Sequence, residues 1–276
     1  MKKICTLLVA LMATVGMAKA ELIEFAYEAG AEVVSSYLWR GQYNGGLSFQ
    51  PTASIGFNAI DEHIQFRVGA WGTVGASDWK FRFNQPAEED NTFFVPEVDI
   101  FANVSVFGLT AGFTHYYYFG GTPFFSGLEE DGGSQTEVQI GYNLGDLTPV
   151  GLYFNWYTMV AGNDFDPNKS RRAYSSYIEI GYDLELPFDI SLGLQVGMTP
   201  WTSLYTDYEG GFAVNNIQAR LGKTWDLDVC EIELYGLGSI NTYGINKSNC
   251  FINETGEYKM YGQQKLNGSI GLGFWF

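Results

Sequence analysis

Eight charged residues stand in alternation with apolar ones: Glu32, Arg67, Glu97, Asp99, Glu179, Asp183, Arg220 and Glu233. In an extended chain alternate side chains share a face, so each lies opposite the apolar set of its own segment. Two kinds of chemistry follow. Opposite charges on neighbouring segments can pair across a ladder, and the order of the segments suggests Arg67 with Asp99 and Arg220 with Glu233. The surplus of acids over the two arginines would give a water-filled passage a preference for cations. Alternatively, the same set is a salt-bridged plug of side chains that fills a narrow interior.

Aromatic residues fall on the same inner face: Trp71, Phe101, Tyr116, Tyr118, Tyr153, Tyr157 and Tyr177. They serve as packing and girdle residues, or as a stacking path for ring-bearing solutes. Nucleophilic catalysis has little to work with, because the chain holds two histidines, His63 and His115. His115 faces outward by parity, and no His-x-Ser spacing supplies a hydroxyl beside it. An enzyme is not expected, and neither is a cofactor. Carboxylates gather at Glu88-Glu89-Asp90, at Glu129-Glu130-Asp131 and along 163–168. Clustered acids can bind Ca²⁺ or Mg²⁺, but none shows the spacing of a calcium loop, so these are read as solvated charge and no metal is assigned.

The elements that must position these residues are strands. Twelve alternating segments run over roughly 27–39, 47–59, 63–75, 96–107, 109–120, 135–144, 149–161, 174–185, 189–199, 212–225, 228–243 and 265–276. Ile64, Phe66, Val68 and Ala70, for example, oppose Gln65, Arg67, Gly69 and Trp71. Placing the charged set toward lipid would cost about 2–4 kcal/mol for a midplane Arg or Lys and less for an acid, so the apolar set faces out. Short turns near 60–62, 108, 145–146, 187–189 and 226–228 alternate with longer loops near 40–46, 76–95, 121–134, 162–173, 200–211 and 244–264. That alternation predicts a single transmembrane, antiparallel, up-and-down β-barrel of about twelve strands, within bounds of about ten and fourteen. The short turns and both termini then lie on the periplasmic side. Pro123 and Phe124-Phe125, in the third long loop, are candidates to fold inward.

Residues 1–20 read as an export signal and 21–276 as the barrel domain. Lys2 and Lys3 precede an apolar run, and Ala18-Lys19-Ala20 supplies a cleavage site. Removing that segment takes away Lys2, Lys3 and Lys19 but no acid, moving the net charge from −16 to −19. So acidic a chain does not suit nucleic-acid phosphates. Cys230 and Cys250 fall at opposite ends of the predicted strands, too far apart for a disulfide.

Leu266, Ile270, Leu272, Phe274 and Phe276 alternate with Asn267, Ser269 and Trp275 up to the last residue. The arrangement resembles the closing strand of bacterial outer-membrane barrels. The resemblance implies that Phe274 and Phe276 signal to the barrel-assembly machinery. Near the other end stands Ser35-Ser36-Tyr37-Leu38-Trp39-Arg40-Gly41-Gln42, followed by Gln50-Pro51-Thr52. This resembles a family of Gram-negative outer-membrane barrels with Ser-(Ser/Asp)-Tyr-x-x-Arg-Gly at this place. The match spans about the first forty residues of the predicted mature chain and carries location and fold, with no catalytic residue. Physically, Ser36, Tyr37, Trp39, Arg40 and Gly41 suit a rim. There the two aromatics join an interfacial girdle, Arg40 meets lipid phosphates or loop carboxylates, and Gly41 permits a turn.

The leading expectation is a monomeric outer-membrane barrel acting as a small passive channel for cations or small polar solutes. Its lumen would be shaped by Arg67, Asp99, Glu179, Asp183, Arg220, Glu233, Tyr116 and Tyr118. Its partners would be outer-membrane lipid and lipopolysaccharide. A closed structural or surface-interaction barrel is the alternative, and a lipid-modifying enzyme comes third.

Overall fold

The computed structural model describes residues 23–75, 97–119, 124, 134–166, 171–206, 208, 211–243 and 265–276. The predicted export segment lies outside them, as do Cys250 and the acidic runs at 88–90 and 129–131.

Fourteen strands are present among the described residues. They are β1 (Ile23–Val34), β2 (Tyr37–Trp39), β3 (Gln42–Gly45), β4 (Ser48–Ala59), β5 (Ile64–Gly75), β6 (Glu97–Val106) and β7 (Leu109–Tyr118). The chain continues through β8 (Ser134–Asn143), β9 (Gly151–Gly162), β10 (Ser176–Leu186) and β11 (Ile190–Thr199). It ends with β12 (Ala213–Asp226), β13 (Glu231–Ile240) and β14 (Leu266–Trp275). Twelve of these form one closed antiparallel barrel, and β2 and β3 make a separate two-stranded hairpin. The barrel closes where β1 meets β14, with Gly30 opposite Trp275 and Val34 opposite Gly271. Closure leaves the barrel itself without a free strand edge.

The alternation seen in the sequence is the alternation of the wall. On β14, Leu266, Ile270, Leu272 and Phe274 are exposed, while Asn267, Ser269, Gly271 and Gly273 are buried. The outer surface is therefore an apolar band, with exposed aromatics at both ends: Phe25, Phe188, Trp225 and Phe276 at the short-turn end, Phe119, Tyr174 and Tyr243 at the other. This distribution is that of a barrel solvated by lipid, because a water-facing surface would not present so continuous an apolar belt. The short turns are tight enough to force positive φ at Ile60, Asp61, Glu62, Phe107, Phe188 and Asp189.

The first predicted segment, 27–39, is two elements. Strand β1 ends at Val34, and the chain then leaves the wall at Ser35-Ser36. Their side chains compensate for the interrupted ladder. Ile270 N donates to Ser35 Oγ at 2.9 Å, and the Ser269 hydroxyl donates to Ser36 O at 2.8 Å. Backbone groups that lose a strand partner are thus satisfied by hydroxyls. Beyond them β2 and β3 fold back as a hairpin with a two-residue tip, Trp39 lying opposite Gln42. The tip residues Arg40 and Gly41 have φ of 51° and 78°. Positive φ at both central positions is the geometry that suits the strand twist of a tight hairpin.

Candidate functional site in the barrel lumen

The hairpin points into the barrel, and its tip is held from several sides. Gly41 O accepts from Asn267 Nδ2 at 3.0 Å and from Asn241 Nδ2 at 3.3 Å. A side chain at position 41 would lie 2.9 Å from Asn216 Oδ1, so the tip approaches β12 as only glycine allows. Arg40 crosses to the opposite wall. Its Nη1 and Nη2 donate to Glu137 Oε1 and Oε2 at 2.6 and 2.8 Å, a two-pronged ion pair. Nη1 also donates to the Tyr205 hydroxyl, and Tyr116 OH donates to Glu137 Oε2 at 2.8 Å. The guanidinium carbon stands 4.0 Å from the centre of the Tyr157 ring, 4.7 Å from Trp39 and 4.9 Å from Tyr177. Burial alone would favour the neutral form of Arg40. The Glu137 carboxylate, through its charge and its hydrogen bonds, together with Tyr205 and Tyr116 offsets that burial and holds the guanidinium charged.

The motif residues therefore lie inside the barrel and do not form a rim girdle. Tyr37 donates to Glu97 Oε2 at 3.0 Å and packs on Trp71 with ring centres 5.4 Å apart. Trp39 packs against Tyr116 and Tyr205. Arg40 meets a carboxylate of the wall, in place of the lipid phosphates or loop carboxylates expected of it. The physical reason is the exit at Ser35-Ser36, which turns the motif from the wall toward the axis.

Below the hairpin the lumen is polar. Glu179 is held by neutral donors: Asn155 Nδ2 at 2.9 Å, Tyr157 OH at 3.2 Å and Gln195 Nε2 at 2.8 Å. Toward the short-turn end Arg220 Nη1 reaches Glu233 Oε1 at 2.6 Å, as the order of the strands suggested. Arg220 also lies 3.9 Å over the Tyr235 ring, and Tyr235 OH donates to Glu32 Oε2 at 3.3 Å. Two cavities lie in the lumen, and this ion pair lines the second. One, of about 330 Å³, lies against the hairpin and is lined by Tyr37, Trp39, Trp71, Asp99, Tyr116 and Glu32 among others. The other, of about 520 Å³, opens among Asp183, Glu185, Arg220, Glu231 and Glu233.

The expected Arg67–Asp99 pair does not form. Arg67 lies opposite Asn103 and Asp99 opposite Trp71, a four-residue offset equal to the one that Arg220 spans to Glu233. Arg67 donates instead to Asn58 Oδ1 at 2.6 Å and to Phe57 O at 3.1 Å. Glycines of the inner face meet ring side chains directly across the ladder: Gly181 faces Tyr153, Gly271 faces Tyr235 and Gly30 faces Trp275. A Cβ at any of these glycines would collide with the ring, so the lumen uses glycine to lay aromatics flat on the wall.

Glu137, the partner of Arg40, was not among the residues singled out from the sequence. The signal was present, since Glu137, Gln139 and Gly141 alternate with Val138, Ile140 and Tyr142. A hydroxyl also lies beside His115 that spacing along one strand could not reveal. His115 Nδ1 is 2.9 Å from Thr136 Oγ1, its ladder partner on β8, and Nε2 is 3.2 Å from Phe124 O. Phe124 stacks on His115 and Tyr117, both on the outward face, so this residue of the third loop does not fold inward. Pro123 and Phe125 lie outside the described residues.

Among the described residues no three His, Cys, Asp or Glu side chains converge on a metal position. Asp164, from one acidic loop, is fully buried and accepts from Ser175 N at 2.8 Å and from Ser175 Oγ at 2.6 Å. It ties that loop to the end of β10. Cys230 is a free thiol.

No protein-family model and no curated protein matches the chain. Among solved structures it is similar to Salmonella typhi OmpF in complex with daunomycin, at 9% identity and a TM-score of 0.30. That match covers 92% of this chain and 97% of the other. At that level the barrel rests on its own ladders.

Proposed function

We propose that the protein is an outer-membrane barrel forming a narrow, cation-favouring passage for ions and small polar solutes, constricted by the inward-folded hairpin. In this reading the short turns and both termini are periplasmic and the long loops face outward. The apolar belt with aromatics at both ends supports the membrane location. The resemblance of the Ser-Ser-Tyr-x-x-Arg-Gly stretch to Gram-negative outer-membrane barrels points the same way. The observation that carries the passage is the continuation of polar space past the hairpin. One cavity lies against the hairpin and a second at the short-turn end of the lumen, and on the inner face Glu179 is a carboxylate held by the neutral donors Asn155, Tyr157 and Gln195. A carboxylate compensated by dipoles leaves a negative potential that attracts cations.

One observation favours a second reading. Arg40 is enclosed by Glu137 and aromatic rings, as befits a permanent closure, and a barrel so closed would act through its outer loops. Reversal potentials in a planar bilayer under asymmetric salt separate the two. Cation-selective openings support the passage, whereas a folded barrel without conductance supports the closure.

A further inference from the structure

Strand β6 begins with two inward carboxylates, Glu97 and Asp99, that are 3% and 7% exposed. Among the described residues neither has a lysine or arginine in ion-pair contact. Elsewhere in the lumen buried acids have evident compensation: Glu137 has Arg40, Glu233 has Arg220 and Glu179 has three neutral donors. Glu97 is the better satisfied of the two, accepting from Tyr37 and Tyr118. The two carboxyls also hydrogen-bond to each other, whereas Asp99 Oδ1 has no hydrogen-bond partner and Asp99 lines the cavity against the hairpin. Directly across the ladder from Glu97, Thr73 is 1% exposed and its Oγ1 also lacks a partner. An unsatisfied buried oxygen costs about 1–3 kcal/mol, more when charged, and here two lie on neighbouring strands beside an acid pair with no basic side chain in contact.

We infer that Glu97, Asp99 and Thr73 form a binding site for a hard divalent cation at the wall of the lumen, with the 330 Å³ cavity, which Asp99 lines, admitting the ion and its remaining waters. Every available donor is oxygen, which selects Ca²⁺ or Mg²⁺ over softer metals. Binding the ion releases to water the proton that the hydrogen-bonded pair shares; the two carboxylates then match the double charge of the ion, and the Thr73 hydroxyl adds a neutral ligand. Calcium takes six to eight oxygens and tolerates irregular geometry, so water from the cavity completes its shell. Tyr37 connects the site to the hairpin through Glu97, so an ion bound there stiffens the attachment of β2 to β6. This inference does not depend on whether the lumen conducts.

The test is equilibrium dialysis of radioactive Ca²⁺ with the refolded full chain in detergent, each sample checked for its barrel by gel migration before and after boiling. Outer acidic loops can bind calcium as well, so differences between variants carry the result. The expectation is that wild type holds one more tightly bound ion per chain than Asp99→Asn. Thr73→Val, which keeps all charges, should bind that ion about tenfold more weakly. Equal tight binding by wild type and Asp99→Asn would overturn the site. So would an infrared band of a protonated carboxyl, lost in Asp99→Asn and unmoved by calcium, since the two acids would then share a proton instead.

Discussion

Arg40 and Glu137 are 97 residues apart in the chain and meet through the two terminal guanidinium nitrogens and both carboxylate oxygens, with side chains only 8% and 2% exposed. One comes from a hairpin tip and the other from the barrel wall, so this contact decides where the hairpin sits. Desolvating two charges is costly, and the cost is recovered here through short paired bonds, the Tyr116 hydroxyl and the rings around the guanidinium.

Removing one partner should therefore release the hairpin. Glu137→Gln leaves a buried guanidinium without its counter-charge, which typically costs about 3–5 kcal/mol. The expected outcome is a lower denaturation midpoint together with larger or noisier conductance. The double variant Arg40→Ala, Glu137→Ala should be less destabilised than the sum of the singles, a coupling that a double-mutant cycle measures.

Glu179 should govern selectivity without governing the fold. Glu179→Gln keeps a carbonyl oxygen for Asn155 and Tyr157 but loses the charge. Reversal potentials in asymmetric potassium chloride should move toward zero while the folded fraction on gels stays the same. An unchanged reversal potential in a conducting variant would remove Glu179 from the ion path.

The ion pair at the short-turn end depends on an absent side chain. A Cβ at Gly222 would lie 2.7 Å from Glu233 Oε1 and 2.8 Å from Ser191 Oγ. Gly222→Ala should push Glu233 off Arg220 and lower thermal stability by about 1 kcal/mol or less, because the obstructing atoms end flexible side chains and the ion pair is partly in contact with solvent. Arg220→Met should cost a similar amount, since it removes the same pair.

The His115–Thr136 pair gives the enzyme reading a definite test. An imidazole between a hydroxyl and a carbonyl has the outline of an activated nucleophile, yet the same contacts anchor Phe124 to the outer wall. The anchoring account predicts no release of fatty acid from labelled phospholipid by wild type, and lower stability in His115→Ala. Hydrolysis lost in both His115→Ala and Thr136→Val would make the protein a lipid-modifying enzyme.

The wall was legible in the sequence because a lipid-facing strand repeats its polarity every second residue, and β5, β6, β11 and β14 show this clearly. The hairpin was not. Val33, Ser35, Tyr37 and Trp39 carry the alternation across the point where the chain leaves the wall, and periodicity alone holds no record of a change in direction. Pairing was legible only in part, because a long side chain on the wall has several partners within reach. Arg220 and Glu233 are offset by four residues across their ladder, as Arg67 and Asp99 are, yet Arg220 reaches its acid while Arg67 turns to Asn58 Oδ1 and Phe57 O. Glu137 was visible by parity, but its role depended on the hairpin. The value of a lumen residue is set by what crosses the lumen to meet it.

The central claim is that the hairpin constricts a cation-favouring passage. The most direct measurement compares single-channel conductance of wild type with a variant in which residues 37–45 are replaced by a short Gly-Ser linker. Both proteins are refolded, verified as barrels and studied in asymmetric salt. The account predicts small, stable, cation-selective openings for wild type and a larger conductance, still cation-selective, for the variant. Equal conductance from the two, or silence from both, would contradict it.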